Sequence, residues 1–181
     1  MLKYNFPKDL LVIDFESMYS NNSETNSPVQ FACILLDKNT LQEKDAFSTF
    51  IKVDLSLISE DIKVKKSYTP EKIDNAPEPK EVANMFLEKF GKDYLITSWA
   101  ANLDLKMFEK LMNSVAVSFD EFDYHVFDLW PVAYIHLLKS GYVGSARSEE
   151  MFKAFDLPSR PTSHDALEDC RHAAEVLRKV I

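Results

Sequence analysis

The chain has 181 residues, 46% of them hydrophobic, and a formal net charge of −8. Its length suits a single domain over residues 1–181 with a substantial core, and it holds no apolar run long enough to span a membrane. Because phosphate contacts normally come from Lys and Arg, the acidic balance argues against tight, extended binding to duplex nucleic acid.

The first half of the chain predicts three strands. Residues 10–15 form a short apolar run that is rich in branched side chains and ends in acids, which is typical of a buried strand. Residues 29–36 and 47–53 are two further candidates, joined through turn-forming residues at 37–40. We expect these three strands to form an antiparallel meander. Residues 63–79 contain three prolines and predict a connection.

The second half alternates helices with strands. A helix carrying Val82, Phe86 and Phe90 on one stripe precedes a fourth strand at 94–98, a helix at 103–113 and a short strand at 124–127. Helices follow at 129–138, at 148–155 and from 165 to the C-terminus. This order predicts an α/β fold, with a five-stranded mixed sheet flanked by helices.

Nothing in the sequence marks an oxidising or membrane compartment. The first residues, MLKYNFPKD, lack the basic and apolar regions of a signal peptide, so we expect a cytoplasmic protein. Cys33 and Cys170 are the only cysteines and lie far apart in the sequence. They are predicted to be buried, reduced thiols rather than parts of a disulfide framework or a zinc site.

Two acidic side chains end the first predicted strand. Asp14 and Glu16 are two residues apart, so in a strand both carboxylates emerge on the same face. They repel each other unless a cation lies between them. Taken alone, so short a motif also matches solvated acids at a strand end.

Two further acids lie on apolar helix stripes. Asp104 shares its face with Met107, Phe108 and Leu111, so its carboxyl group is expected to face the core, although an Asp in a first turn also suits the helix dipole. Asp169 shares its stripe with small and branched apolar residues, namely Ala166, Ala173, Val176 and Val180. A carboxylate buried there needs a hydrogen-bond donor or a cation.

His164 precedes the last helix, with Thr162 and Ser163 as candidate caps. A lone His is ordinarily a surface or capping residue. His164, however, occurs together with the four acids of these motifs, which makes it a candidate general base. Four carboxylates and one His can hold two divalent cations and a general base. Phosphodiester hydrolysis is helped by such a device, because paired metals stabilise the attacking and leaving oxygens. The constellation therefore predicts a metal-dependent nuclease.

These motifs resemble those of the DEDDh group of 3′-to-5′ exonucleases, which have a ribonuclease H-like fold. Within that group the chain looks most like the enhancer-of-RNA-interference and histone-mRNA exonuclease branch. The first motif is matched by residues 11–17, the second by Thr97-Ser98-Trp99 with Asp104, and the third by His164-Asp165-Ala166-Leu167-Glu168-Asp169. Residues 28–37 and 73–77 also match, so the resemblance covers nearly the whole chain.

The resemblance implies roles for the five motif residues and a substrate class. Asp14, Glu16, Asp104 and Asp169 would bind metal, and His164 would act as general base. The cofactors would be two divalent cations, Mg²⁺ or Mn²⁺, which accept hard oxygen ligands. The implied partner is the 3′ end of a single-stranded nucleic acid, RNA favoured over DNA, and the products are nucleoside 5′-monophosphates.

Five residues are candidate substrate contacts. Phe15 and Met18 are placed to pack against a terminal base, although core packing explains Phe15 almost as well. Ser17 keeps the hydroxyl of the Thr that is common in the first motif. Lys65 and Lys66 stand in the segment Lys65-Lys66-Ser67-Tyr68, which replaces the Leu-Thr-Gly-Ile that is usual in this branch of exonucleases. There they would contact phosphate or form a solvated basic loop.

Two other functions stay open from the sequence. One is a phosphodiesterase for very short oligonucleotides or small nucleotides, which the acidic surface would suit. The other is a noncatalytic module that binds nucleic acid or a protein partner. The presence of all four acids and the histidine argues against the second.

Overall fold

The computed structural model describes residues 4–18, 26–158 and 165–181. A single sheet is formed by β1 (Leu10–Ser17), β2 (Pro28–Leu36), β3 (Glu43–Phe50), β4 (Leu95–Ser98) and β5 (Val126–Asp128), in the order β3-β2-β1-β4-β5. The strands β1, β2 and β3 pair antiparallel, whereas β4 is parallel to β1 and β5 is parallel to β4. The predicted five-stranded mixed sheet is confirmed.

Seven α-helices accompany the sheet in the described ranges: α1 (Glu60–Lys66), α2 (Pro70–Ile73), α3 (Pro79–Phe90), α4 (Ala101–Asn113), α5 (Leu129–Lys139), α6 (Ser148–Ala154) and α7 (Ala166–Val180). The prediction of a plain connection at 63–79 is wrong, because this segment holds the end of α1, all of α2 and the first residue of α3. Pro70 and Pro79 stand at the starts of helices. A proline is tolerated there because the first helical N–H has no partner within the helix.

The third strand begins four residues earlier than its apolar run predicts. It spans Glu43–Phe50 instead of residues 47–53, and its first three residues are exposed and charged. The strand lies at the edge of the sheet. Charged side chains are common on edge strands because they discourage pairing with other chains, so hydrophobicity alone does not mark where such a strand begins.

The central strand β1 is buried on both faces of the sheet. Leu10 and Val12 pack on one side with α5 and α7, while Leu11, Ile13 and Phe15 pack on the other side with α3 and α4. This alternation follows from the two-residue period of a strand. It places Asp14 and Glu16 on the α7 side, at the end of β1. No helix in the described part of the chain is long and apolar enough to cross a membrane.

Candidate active site

Three carboxylates meet at the end of β1. Asp14 and Glu16 on this strand and Asp169 on α7 each offer an oxygen, and these three oxygens lie within 4.8 Å of one another. Glu16 is 2% exposed and Asp169 is 9% exposed. So close a group of negative charges, with Asp14 only partly exposed, is unfavourable without a positive partner.

Asp104 approaches the same point from α4 and is held by hydrogen bonds. The Ser98 hydroxyl donates to Asp104 Oδ2, and the Ala100 amide donates to Ser98 Oγ at 3.1 Å. The backbone N–H of Phe15 also donates to the Asp104 carboxylate. Burial, together with the charges of Glu16 and Asp169, raises the pKa of Asp104 from 3.8 to about 7, although these hydrogen bonds act to lower it. A cation beside the four carboxylates would relieve this repulsion.

Gln30 fixes the start of α7, a role that sequence reasoning missed. Its side-chain N–H donates to Asp165 Oδ2 at 3.0 Å, and its Oε1 accepts from the Ala166 amide at 3.4 Å. Gln30 lies on β2 directly opposite Glu16. The helix that carries Asp169 is therefore tied to the strand beside the acids. The feature that could have indicated this role is the single amide side chain in an otherwise apolar strand.

A groove extends from the four carboxylates along α4. It has a volume of about 430 Å³. Its far wall is formed by one face of α4, where Leu103 and Met107 are apolar and Lys106 and Lys110 are basic. Leu103 is 64% exposed, so its apolar side chain is accessible at the surface. The remaining lining residues are Phe15, Ser17, Asn26, Trp99, Ala100 and Ser148.

The candidate substrate contacts fall in different surroundings. Phe15 and Ser17 line the groove, and the Phe15 ring also stacks on Phe31 with centroids 4.6 Å apart. Met18 is 5% exposed and packs in a core cluster with Val29 and Tyr68. Core packing therefore accounts for Met18, and Phe15 takes part in core packing while it also lines the groove. Contact of either side chain with a terminal base stays a prediction.

The two lysines of the replaced segment differ sharply. Lys65 is exposed on α1. Lys66 is buried, and its Nζ lies 2.6 Å from Glu16 Oε2. The expectation that Lys66 belongs to a solvated basic loop is wrong, because the end of α1 packs against the acidic end of β1. Sequence reasoning missed this pairing because the two residues are 50 positions apart.

His164 lies outside the described residues, as do the candidate caps Thr162 and Ser163. Within the described part, Asp165 is the N-cap of α7, and its carboxylate accepts hydrogen bonds from the amides of Leu167 and Glu168. This cap orients the first turn of the helix, from which Asp169 reaches the other acids.

The donor set fits hard divalent cations. The carboxylates of the site all offer oxygen ligands. Proteins bind Mg²⁺ and Mn²⁺ through a few carboxylates together with water and substrate oxygens. Sulfur ligands play no part. Cys33 and Cys170 are buried free thiols, as predicted. Burial raises the pKa of both.

Comparisons with known proteins agree with this geometry. The family RNase_T, described as Exonuclease, matches residues 11–177. Cell-death related nuclease 4 (CRN-4) has a similar structure, with 19% identity and a TM-score of 0.78 over 95% of this chain and 63% of that one. A 3′-exonuclease whose structure concerns 3′-end specific recognition of histone mRNA stem-loop has 18% identity and a TM-score of 0.70, over 97% of this chain and 64% of that one.

A third similar structure is E. coli Exonuclease I in complex with a dT13 oligonucleotide, with 18% identity and a TM-score of 0.73 over 96% of this chain and 41% of that one. The chain thus spans less than two thirds of the length of each of these three proteins. At these identities the likeness shows a shared fold. No curated protein sequence matches the chain.

Proposed function

Because the chain belongs to the RNase_T exonuclease family, we propose that it is a metal-dependent 3′-to-5′ exonuclease. Its substrate would be single-stranded nucleic acid, RNA in preference to DNA, and its products nucleoside 5′-monophosphates. The observation that carries the proposal is the convergence of Asp14, Glu16 and Asp169 within 4.8 Å, with Asp104 beside them.

The four carboxylates would hold two divalent cations, Mg²⁺ or Mn²⁺. When bound, these ions supply positive charge for the attacking and leaving oxygens of a phosphodiester. Ser98, Gln30 and the Asp165 cap hold Asp104 and α7 in place, so that the acids keep their positions before substrate arrives. His164 would accept the proton of the attacking water, a task that suits a group titrating near neutral pH.

The groove supports a strand end as substrate. Its volume lies in the range of sites that hold small ligands, so it suits a few nucleotides better than a duplex. Leu103 and Met107 offer an apolar wall for bases, while Lys106 and Lys110 supply positive charge for phosphates. This arrangement reconciles nucleic-acid binding with a net charge of −8, because the basic groups are local.

The sugar of the substrate is proposed from the sequence resemblance. Among the similar structures, one concerns recognition of a histone mRNA stem-loop and another holds a dT13 oligonucleotide. Both sugars therefore occur with this fold. RNA is distinguished by contacts to the 2′ hydroxyl, and the resemblance to histone-mRNA exonucleases favours RNA for this chain.

A second candidate keeps the chemistry and shortens the substrate. The small groove and the acidic surface would also suit a phosphodiesterase for very short oligonucleotides or small nucleotides. Cleavage rates on substrates of increasing length separate the two functions. An exonuclease retains activity on long single strands, whereas the phosphodiesterase loses it beyond a few nucleotides.

The test is cleavage of 5′-labelled RNA and DNA of matched sequence with Mg²⁺ or Mn²⁺. We expect a ladder that shortens from the 3′ end, faster on RNA, and absent with EDTA. His164→Ala and Asp14→Asn should both abolish it while the circular dichroism spectrum stays unchanged. Equal cleavage by wild type and Asp14→Asn would refute the proposal.

A further inference from the structure

Lys66 forms a buried ion pair with Glu16 inside the acidic centre. The two side chains are each 3% exposed, and Lys66 Nζ lies 2.6 Å from Glu16 Oε2. Lysine is almost never fully buried unless it is paired, because removing an ammonium group from water is expensive. The position therefore requires a specific electrostatic partner, and Glu16 supplies it.

The surrounding backbone holds Lys66 in this place. It is the last residue of α1, and Ser67 after it adopts a left-handed conformation with φ of 55°, which ends the helix. Tyr68 is also buried, and its hydroxyl donates to the Ser17 carbonyl at 3.3 Å. The segment is thus packed against the end of β1, and the ammonium group is directed at the acids.

The ion pair changes the charge balance of the centre. When all four carboxylates are ionised they carry four negative charges, and the ammonium group offsets one of them. A divalent cation that binds Glu16 then meets a like charge a few ångströms away. Like charges at such distances repel appreciably even at the effective dielectric constant of a protein interior.

We propose that Lys66 is a positioning residue that holds Glu16 in the metal-free protein and weakens the binding of divalent cations at this centre. This inference rests on the proposed function, because it takes Glu16 as a metal ligand. The centre then needs a higher concentration of divalent cation to be filled than it would without the ammonium group. The charged group that lowers the affinity is part of the chain itself.

The test measures Mn²⁺ binding by isothermal titration calorimetry for wild type and Lys66→Met, which removes the charge and keeps an apolar chain of similar length. We expect the dissociation constant to fall by about tenfold or more. Lys65→Met is the matched control, since it removes the same charge from the exposed neighbouring residue and should leave the dissociation constant within about twofold. Lys66→Arg keeps the charge and should bind Mn²⁺ like wild type.

A purely structural role for Lys66 predicts the opposite sign. Loosening the site would weaken Mn²⁺ binding or leave it unchanged, so tighter binding separates the two roles. If Lys66→Met does not fold without metal, Lys66→Gln removes the charge while it can still donate a hydrogen bond to Glu16, and the same tightening is expected. Mn²⁺ binding by wild type with no tightening in either variant overturns this inference alone. Absence of Mn²⁺ binding in every variant overturns the metal centre as well.

Discussion

Replacement of Asp104 by Asn should stabilise the metal-free protein and abolish its activity. Asp104 is 7% exposed, and burial together with neighbouring carboxylates raises its pKa from 3.8 to about 7. A shift of about three units at about 1.4 kcal/mol per unit gives a penalty on the order of 4 kcal/mol for the ionised group. Asn has no charge, and its oxygen can still accept a hydrogen bond from the Ser98 hydroxyl.

The penalty depends on pH with a defined sign. The pKa of Asp104 is raised in the folded protein. Between pH 3.8 and about 7, Asp104 is therefore mostly protonated in the folded protein and mostly ionised in the unfolded chain. Stability of the wild type therefore falls as pH rises through this window. The advantage of Asp104→Asn should be largest above about pH 7, at about 4 kcal/mol, and should shrink toward zero as the pH falls to about 4.

The assay is urea unfolding in EDTA near neutral to mildly alkaline pH and again in mild acid. Glu109→Gln provides the control, since Glu109 is exposed on the same helix and its change should alter stability by less than about 0.5 kcal/mol. Added Mn²⁺ should reverse the order of stability, because the wild type binds it more tightly. If Asp104→Asn proves no more stable than wild type in EDTA at the higher pH, the electrostatic reasoning fails.

Three further predictions concern the metal, the anchor of α7 and the core. Asp169→Asn should remove the rise in Tm that Mn²⁺ gives to the wild type, measured by thermal unfolding with and without the ion; an undiminished rise would remove Asp169 from the metal site. Gln30→Ala breaks one buried and one partly buried hydrogen bond to the start of α7 and should lower stability by about 1–3 kcal/mol in urea unfolding. Catalytic turnover should fall as well, and unchanged turnover would show that this anchor does not position Asp169. Phe108→Ala leaves a cavity in the aromatic core and should lower the free energy of unfolding by about 3–5 kcal/mol. The control Val143→Ala, at a 99% exposed position, should change it by less than about 0.5 kcal/mol. A similar loss in both variants would contradict the packing described.

Local patterns predicted the fold and the placement of the acids. The two-residue period of β1 placed Asp14 and Glu16 on one face, and the apolar stripe of α7 placed Asp169 against the sheet. Each prediction needed only residues close in sequence. The apolar face of α4 likewise predicted a buried Asp104, which the structure confirms.

Contacts between distant segments were not predicted. The sequence around Lys66 is basic and polar, and its burial arises only when α1 packs against β1. Gln30 and Asp165 are 135 residues apart, so no local rule joins them. The early start of β3 was missed because an edge strand tolerates charged residues.

Analysis of the products distinguishes exonucleolytic hydrolysis from the 3′ end from other modes of cleavage. Single-stranded RNA with a free 3′ hydroxyl, and the same RNA with a blocked 3′ end, are digested with Mn²⁺ in water enriched in oxygen-18. We expect nucleoside 5′-monophosphates that carry the isotope on phosphorus, released from the unblocked strand alone. Nucleoside 3′-monophosphates, or internal fragments from the blocked strand, would contradict this expectation.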